Sequence, residues 1–141
     1  MRAHQLSLLV GLKEVKYMLV GVFSPDQRER LQTQIELELR RSGLSPRSLG
    51  AAEPDEDKWN DAPFLTCQAN RRSDAELYIE VVLQEDAVLL RNGKQVTHKT
   101  YEDERVVVAA GKSPGEQEAE EILAGVQRFC NDVMLANTPK P

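Results

Sequence analysis

The hydrophobic pattern begins with Val15–Phe23, a run in which both faces are apolar from Tyr17 onward. A strand with one face in water would alternate apolar and polar residues, and this run does not alternate. It therefore predicts a strand in the interior of a sheet, covered on both faces by the rest of the fold or by a partner.

A helix is predicted directly after this strand. Ser24 is a typical N-cap, Pro25 suits the first helical position, and Gln27 completes a capping box with Ser24. Gly43 predicts the end of the helix, because glycine readily adopts the left-handed conformation found there. Between these limits the apolar residues repeat every four positions and form one stripe, which consists of Leu31, Ile35 and Leu39.

The next two segments differ in composition. Residues 45–61 contain prolines, a glycine and a run of acids, and they predict a surface loop with a short strand near Arg47–Leu49. Phe64–Asn70 alternates apolar and polar residues, which predicts a strand with Cys67 on its inward face.

The segment Ala75–Ala110 predicts a long β-hairpin. Asn92-Gly93 near its middle is a strong turn signal, because both residues tolerate positive φ. Setting Arg91 opposite Lys94 gives a register with apolar and opposite-charge partners. The predicted pairs are Leu77–Val108, Ile79–Val106, Glu80–Arg105 and Asp86–Lys99. In the middle this register opposes apolar residues to glutamates, so a β-bulge is expected there.

A second long helix is predicted over Glu116–Asn137, with acids in its first turn and Pro139 beyond its end. Together the elements predict one α+β domain spanning residues 1–141. Its single sheet is expected to be mostly antiparallel, with about four or five strands and two helices packed on it. The first strand and helix are expected to cross over to a parallel neighbour.

Length and charge narrow the classes of function. A chain of 141 residues is long enough to form one domain with a buried hydrophobic core. The net charge of −5 disfavours a nucleic-acid partner, since phosphate binding needs clustered lysines and arginines. No run reaches the ~18 apolar residues of a membrane span. Leu6–Leu12 is apolar but short and lacks a cleavage site, so no signal peptide is visible.

The candidate chemical groups form no recognised catalytic or metal-binding pattern. Cys67 and Cys130 lack ligand spacing and lie in apolar patterns, which favours buried free thiols, although a single disulfide stays open. His98 has no nucleophile in its segment, and this favours a structural role. The acidic loop around Trp59 lacks the glycine and the bidentate acid of an EF-hand. We therefore expect no enzymatic activity, no cofactor and no metal.

Three segments resemble motifs of a family of small bacterial proteins that are often exported and have no assigned activity. The family pattern looks like ELRLRRAGI, then PYLYVNV, then NDYLAxNP. The corresponding segments here are Ile35–Leu44, Pro63–Asn70 and Phe129–Pro139, in the same order. Thr66 stands where the family has an aromatic residue, and Met134 stands where it has tyrosine. The resemblance implies kinship and a periplasmic or exported location, while a cytoplasmic one stays open because no signal is visible.

Two functions remain open. The first is a non-enzymatic protein-interaction or adaptor domain that uses an open sheet face or edge, with a protein partner or self-association. Val107 is expected to project from that face. The alternative is a small-molecule or peptide-binding module with a groove beside Trp59 and the loop 45–61. The candidate binding residues are Trp59, Tyr78, Val82, Gln84, Val88 and Tyr101.

Overall fold

The computed structural model describes residues 6–48, 63–111 and 115–139. Its elements are β1 (Glu14–Val20), α1 (Pro25–Arg41), β2 (Ser45–Ser48), β3 (Phe64–Arg71), β4 (Glu76–Val88), β5 (Gln95–Val108) and α2 (Glu116–Ala136). A short helical turn over residues 6–8 precedes β1. These elements confirm the predicted α+β class.

The strands form one five-stranded sheet in the order β2-β1-β3-β4-β5. β1 pairs in parallel with both β2 and β3, whereas β3 with β4 and β4 with β5 are antiparallel. The sheet is therefore mixed. The β1–α1 unit does lead to a parallel neighbour, β2, as the sequence predicts.

Local sequence accounts for both ends of α1. The Ser24 side chain accepts a hydrogen bond of 3.1 Å from the backbone N–H of Gln27. The Gln27 side chain accepts one of 2.9 Å from the N–H of Ser24, so the predicted capping box is confirmed. At the other end Gly43 has a φ of 92°, a conformation that glycine adopts without strain.

Both helices pack on the same face of the sheet. Leu31, Ile35 and Leu39 of α1 join the core cluster, as do Ile122 and Phe129 of α2. The strands supply alternate residues to this cluster, among them Tyr17, Leu65, Leu77, Ile79, Val81 and Leu83. Cys67 and Cys130 are buried and free, which confirms the prediction for the thiols.

Gly125 allows α2 to approach the sheet closely. A Cβ at this position would lie 2.8 Å from Cγ2 of Val81 on β4, closer than carbon atoms approach without strain. The absence of a side chain therefore sets the distance between α2 and β4. This explains a glycine in the interior of a helix, where it costs about 1 kcal/mol relative to alanine.

The hairpin register differs from the predicted one. The N–H groups of Leu89 and Gly93 bond to the carbonyls of Lys94 and Leu89, at 2.9 and 2.8 Å, so the turn is longer than two residues. A β-bulge then adds one residue, Thr100, between the partners of Leu83 and Gln84. The expected bulge is thus present, but the predicted cross-strand pairs are wrong.

The new register changes which β5 residues face the helices. Val107 lies opposite Leu77 and packs against the core, so the prediction that it projects from an open face is wrong. Val106 lies opposite Tyr78 and points to the other side. A slip of one residue has this effect because successive side chains of a strand alternate between faces.

Candidate functional site

The outer edge of β5 is the longest stretch of unpaired strand in the part of the chain that the structure describes. β5 has 14 residues and ends the strand order on one side, whereas β2 on the other side has only four. The far face, which we define as the sheet face opposite the helices, meets this edge along β5.

The backbone groups that point outward can be assigned from the ladder with β4. The N–H of Ala109 donates to the carbonyl of Ala75 at 2.9 Å, so Ala109 directs its backbone groups toward β4. Consecutive residues of a strand direct these groups to opposite sides. Val106 and Glu104 are separated from Ala109 by an odd number of positions, so they direct their backbone groups away from β4. The side chains of these two residues lie on the far face, since they pair with Tyr78 and Glu80.

The C-terminal end of β5 is apolar and exposed. Val106 is 52% exposed and Val108 is 79% exposed. Beside them on the far face is Tyr78, opposite Val106, with the guanidinium of Arg72 lying 4.4 Å from the centre of its ring. The stacked arginine orders the ring next to the valines.

The next part of the far face is acidic. Glu80 on β4 lies directly opposite Glu104 on β5. The Tyr78 hydroxyl donates a hydrogen bond of 2.9 Å to Glu80, and Lys99 lies 3.9 Å from Glu104. The pKa of Tyr78 is raised to about 12, first by partial desolvation and then by its bond to Glu80. Two carboxylates are thus held side by side near the edge.

The hairpin extends past the rest of the sheet. Gln84 of β4 pairs with Phe64, the first residue of β3, so the strand beyond Gln84 is paired only with β5. Asp86 accepts hydrogen bonds from Thr97 at 2.5 Å and from Gln95 at 3.1 Å, which ties the two strands together. The exposed apolar residues of this arm are Val88 and Leu90.

A second polar site lies between β5 and α2. The buried Tyr101 hydroxyl donates a hydrogen bond of 2.9 Å to Asp132, and Nε of Arg128 donates one of 2.6 Å to Asp103. These residues line a cavity of about 420 Å³. The pKa of Tyr101 is strongly raised, chiefly by burial and then by the hydrogen bond to Asp132. These two hydrogen bonds join α2 to β5, while Nη2 of Arg128 is buried without a hydrogen-bond partner among the described residues.

The structure corrects two of the candidate binding residues. Val82 is 2% exposed although it lies on the far face between Thr66 and Glu102, so it offers no surface to a partner. Tyr101 is buried on the helix side. Neither side chain is exposed, although Tyr101 lines the cavity between β5 and α2.

The remaining candidates lie in different places. Tyr78 and Gln84 are half-buried on the far face, and Val88 is exposed on the hairpin arm. Trp59 and most of the loop 45–61 fall outside the described residues, so the alternative groove stays a prediction. Val106 and Val108 were missed as surface residues. The signal was three valines in succession at 106–108, since a strand must place either one or two of them outward.

Neither long helix, nor any other helix in the described ranges, has the length and hydropathy needed to span a bilayer. Among the same residues no group of three or more histidine, cysteine or acidic side chains is arranged to hold a metal ion.

No family model matches the chain, and no curated protein matches it. Among solved structures it is similar to the PelC dodecamer from Paraburkholderia phytofirmans, with 13% identity over 89% of each chain and a TM-score of 0.42. It is also similar to a minor lipoprotein from Acinetobacter baumannii, with 16% identity over 94% of this chain and 99% of that one, at a TM-score of 0.37. At these values the similarities assign neither a family nor an activity.

Proposed function

We propose that this domain is a non-enzymatic protein-interaction module that binds a partner strand along the outer edge of β5. The observation that carries the proposal is the 14-residue edge strand, whose C-terminal end exposes Val106 and Val108 beside outward-directed backbone groups. An added strand would bond to that backbone and cover these valines, which is a recurring mode of peptide recognition.

The best segment for pairing is the end of β5 after the bulge. A bulge and charged residues are devices by which natural sheets protect their edges, and Thr100 and Lys99 supply both in the middle of β5. From Glu102 to Val108 the register with β4 is regular. Each backbone hydrogen bond to a docked strand would contribute about 0.5–1.5 kcal/mol net. Because ordering the docked strand costs conformational entropy, the affinity would also need the apolar contact of Val106 and Val108.

Two features support a role without catalysis. The thiols of Cys67 and Cys130 are buried, and burial raises their pKa to about 12 and about 11, so they are weak nucleophiles at neutral pH. In the cavity between β5 and α2, the Tyr101 hydroxyl and Nε of Arg128 are bonded to neighbouring carboxylates, which suits a structural tie.

A photo-crosslinking amino acid at position 106, in protein expressed from its native gene, tests the proposal. We expect a defined protein adduct from position 106 and none from position 37, where Leu37 is exposed on α1. Val106→Pro removes an outward N–H, which edge strands tolerate, and should abolish the interaction in the folded protein. Val106→Thr keeps the N–H and should retain it. Equal adducts from positions 106 and 37, or an interaction that survives Val106→Pro, would contradict the proposal.

We further propose, from the resemblance of its sequence motifs to those of often-exported proteins, that the protein works outside the cytoplasm. Fractionation of cells that express the intact native gene would check this location. Recovery in the cytosolic fraction alone would contradict it and would leave the proposal for the β5 edge unaffected.

A further inference from the structure

We infer that the strand bound at the β5 edge is basic and aliphatic, with cationic side chains facing Glu104 and aliphatic ones facing Val106 and Val108. This inference rests on the proposed function, because it assigns a chemistry to the partner that docks there.

The far face carries a like-charge pair next to the edge, with one partly exposed lysine beside it. Glu80 and Glu104 are direct cross-strand partners, and like charges in that position destabilise a sheet. Glu102 lies two positions before Glu104 in β5 and on the same face of the strand. Lys99 is the nearest cation to Glu104, at 3.9 Å, and its side chain is 44% exposed, so solvent screens this pair. A cation brought in by a partner would relieve the repulsion.

The geometry of strand addition determines where that cation must be. A strand bonded to the outer edge places its side chains about 5 Å from those of β5, and every second residue faces the same side. A residue opposite Glu104 is therefore followed, two positions along, by one opposite Val106. The next residue on that face is opposite Val108. The complementary strand alternates, with basic residues at one end and aliphatic residues at the other.

A second copy of this chain fits the edge poorly. An antiparallel pair of β5 strands can place Glu104 opposite Glu104 or Glu102, which repels, or opposite Val106 or Val108, which buries a carboxylate against a valine. Other registers bring Lys99 of one copy opposite a glutamate of the other. In these registers both β5 strands would have to form hydrogen bonds across the irregular backbone at the Thr100 bulge. A strand from a different segment avoids these costs.

Two labelled synthetic peptides test the inference. The lysine peptide has the sequence Val-Thr-Val-Thr-Lys-Thr-Lys, which in antiparallel pairing places both valines on Val108 and Val106 and a lysine on Glu104. The glutamate peptide replaces both lysines by glutamate. Binding to the whole protein is measured by fluorescence anisotropy at low and high salt.

The lysine peptide should bind more tightly than the glutamate peptide, and the preference should shrink as salt screens the charges. Glu104→Gln should weaken the binding of the lysine peptide by roughly 1.4-fold to fivefold, since a cross-strand charge pair contributes about 0.2–1 kcal/mol. Glu104→Lys should reverse the preference. Glu29→Gln, an exposed change on α1, is the matched control and should have no effect.

The outcomes separate the two proposals. If both peptides bind equally and neither binds the Val106→Pro variant, the inference that the partner strand is basic would be overturned, and the proposal of strand addition would stand. Binding that persists in Val106→Pro would overturn strand addition itself. A lysine peptide that does not bind the unmodified protein would overturn the inference, and the crosslink at position 106 would still report on the proposed function.

Discussion

The hydroxyl of Tyr101 on β5 donates a hydrogen bond of 2.9 Å to Asp132 on α2, and both residues are buried. The ring of Tyr101 also meets that of Phe129 edge to face, with the ring centres 5.1 Å apart. One side chain thus joins the edge strand to the last helix. The contact couples the proposed docking edge to the core.

Loss of this hydroxyl should lower the stability of the domain. Tyr101→Phe keeps the ring but removes a hydrogen bond to a buried carboxylate, which costs about 1–3 kcal/mol. Chemical denaturation followed by circular dichroism measures the change. Tyr78→Phe is the matched control, because its hydroxyl bonds Glu80 on the half-exposed far face. An equal loss in both variants would show that burial of the Tyr101–Asp132 pair is not what matters.

A methyl group at position 125 should also destabilise the protein. Gly125→Ala gains about 1 kcal/mol of helix propensity, but its Cβ would clash with Val81, and overpacking costs about 1–3 kcal/mol. We expect a net loss in the free energy of unfolding. Val81→Ala in the Gly125→Ala background should cost less than Val81→Ala alone, because it also makes room for the methyl group. A stabilised Gly125→Ala variant would contradict the close approach of α2 and β4.

Stability should fall as the pH rises above about 9. Burial raises the pKa of the Cys67 thiol from 9.0 to about 12 and that of Cys130 to about 11. Above pH 9 the unfolded chain releases these protons while the folded chain retains them. The two groups therefore stabilise the fold fully below that pH, and the contribution is lost as the pH rises toward their folded values.

Urea denaturation between neutral and alkaline pH measures this dependence. Cys67→Ala with Cys130→Ala should reduce its slope above pH 9, whatever the change in stability at neutral pH. An unchanged slope would show that the thiols do not contribute.

The sequence by itself determined the elements whose signals are local. Ser24 and Gln27 are three residues apart, so a capping box needs no contact from the rest of the chain, and the left-handed end of α1 follows from Gly43. The stripe of Leu31, Ile35 and Leu39 gave the buried face of α1 for the same reason. These features depend on backbone conformation and spacing alone.

Only the tertiary structure decided the register of the hairpin and therefore the candidate site. Asn92-Gly93 predicted a two-residue turn, whereas the turn in the structure is longer, and each added residue at the turn or at Thr100 exchanges the two faces of β5. The structure placed Val107 inside and left Val106 at the edge. It also buried Val82 on the far face and joined Tyr101 to Asp132 across 31 positions. Such pairings depend on how distant segments share one core, which local patterns do not specify.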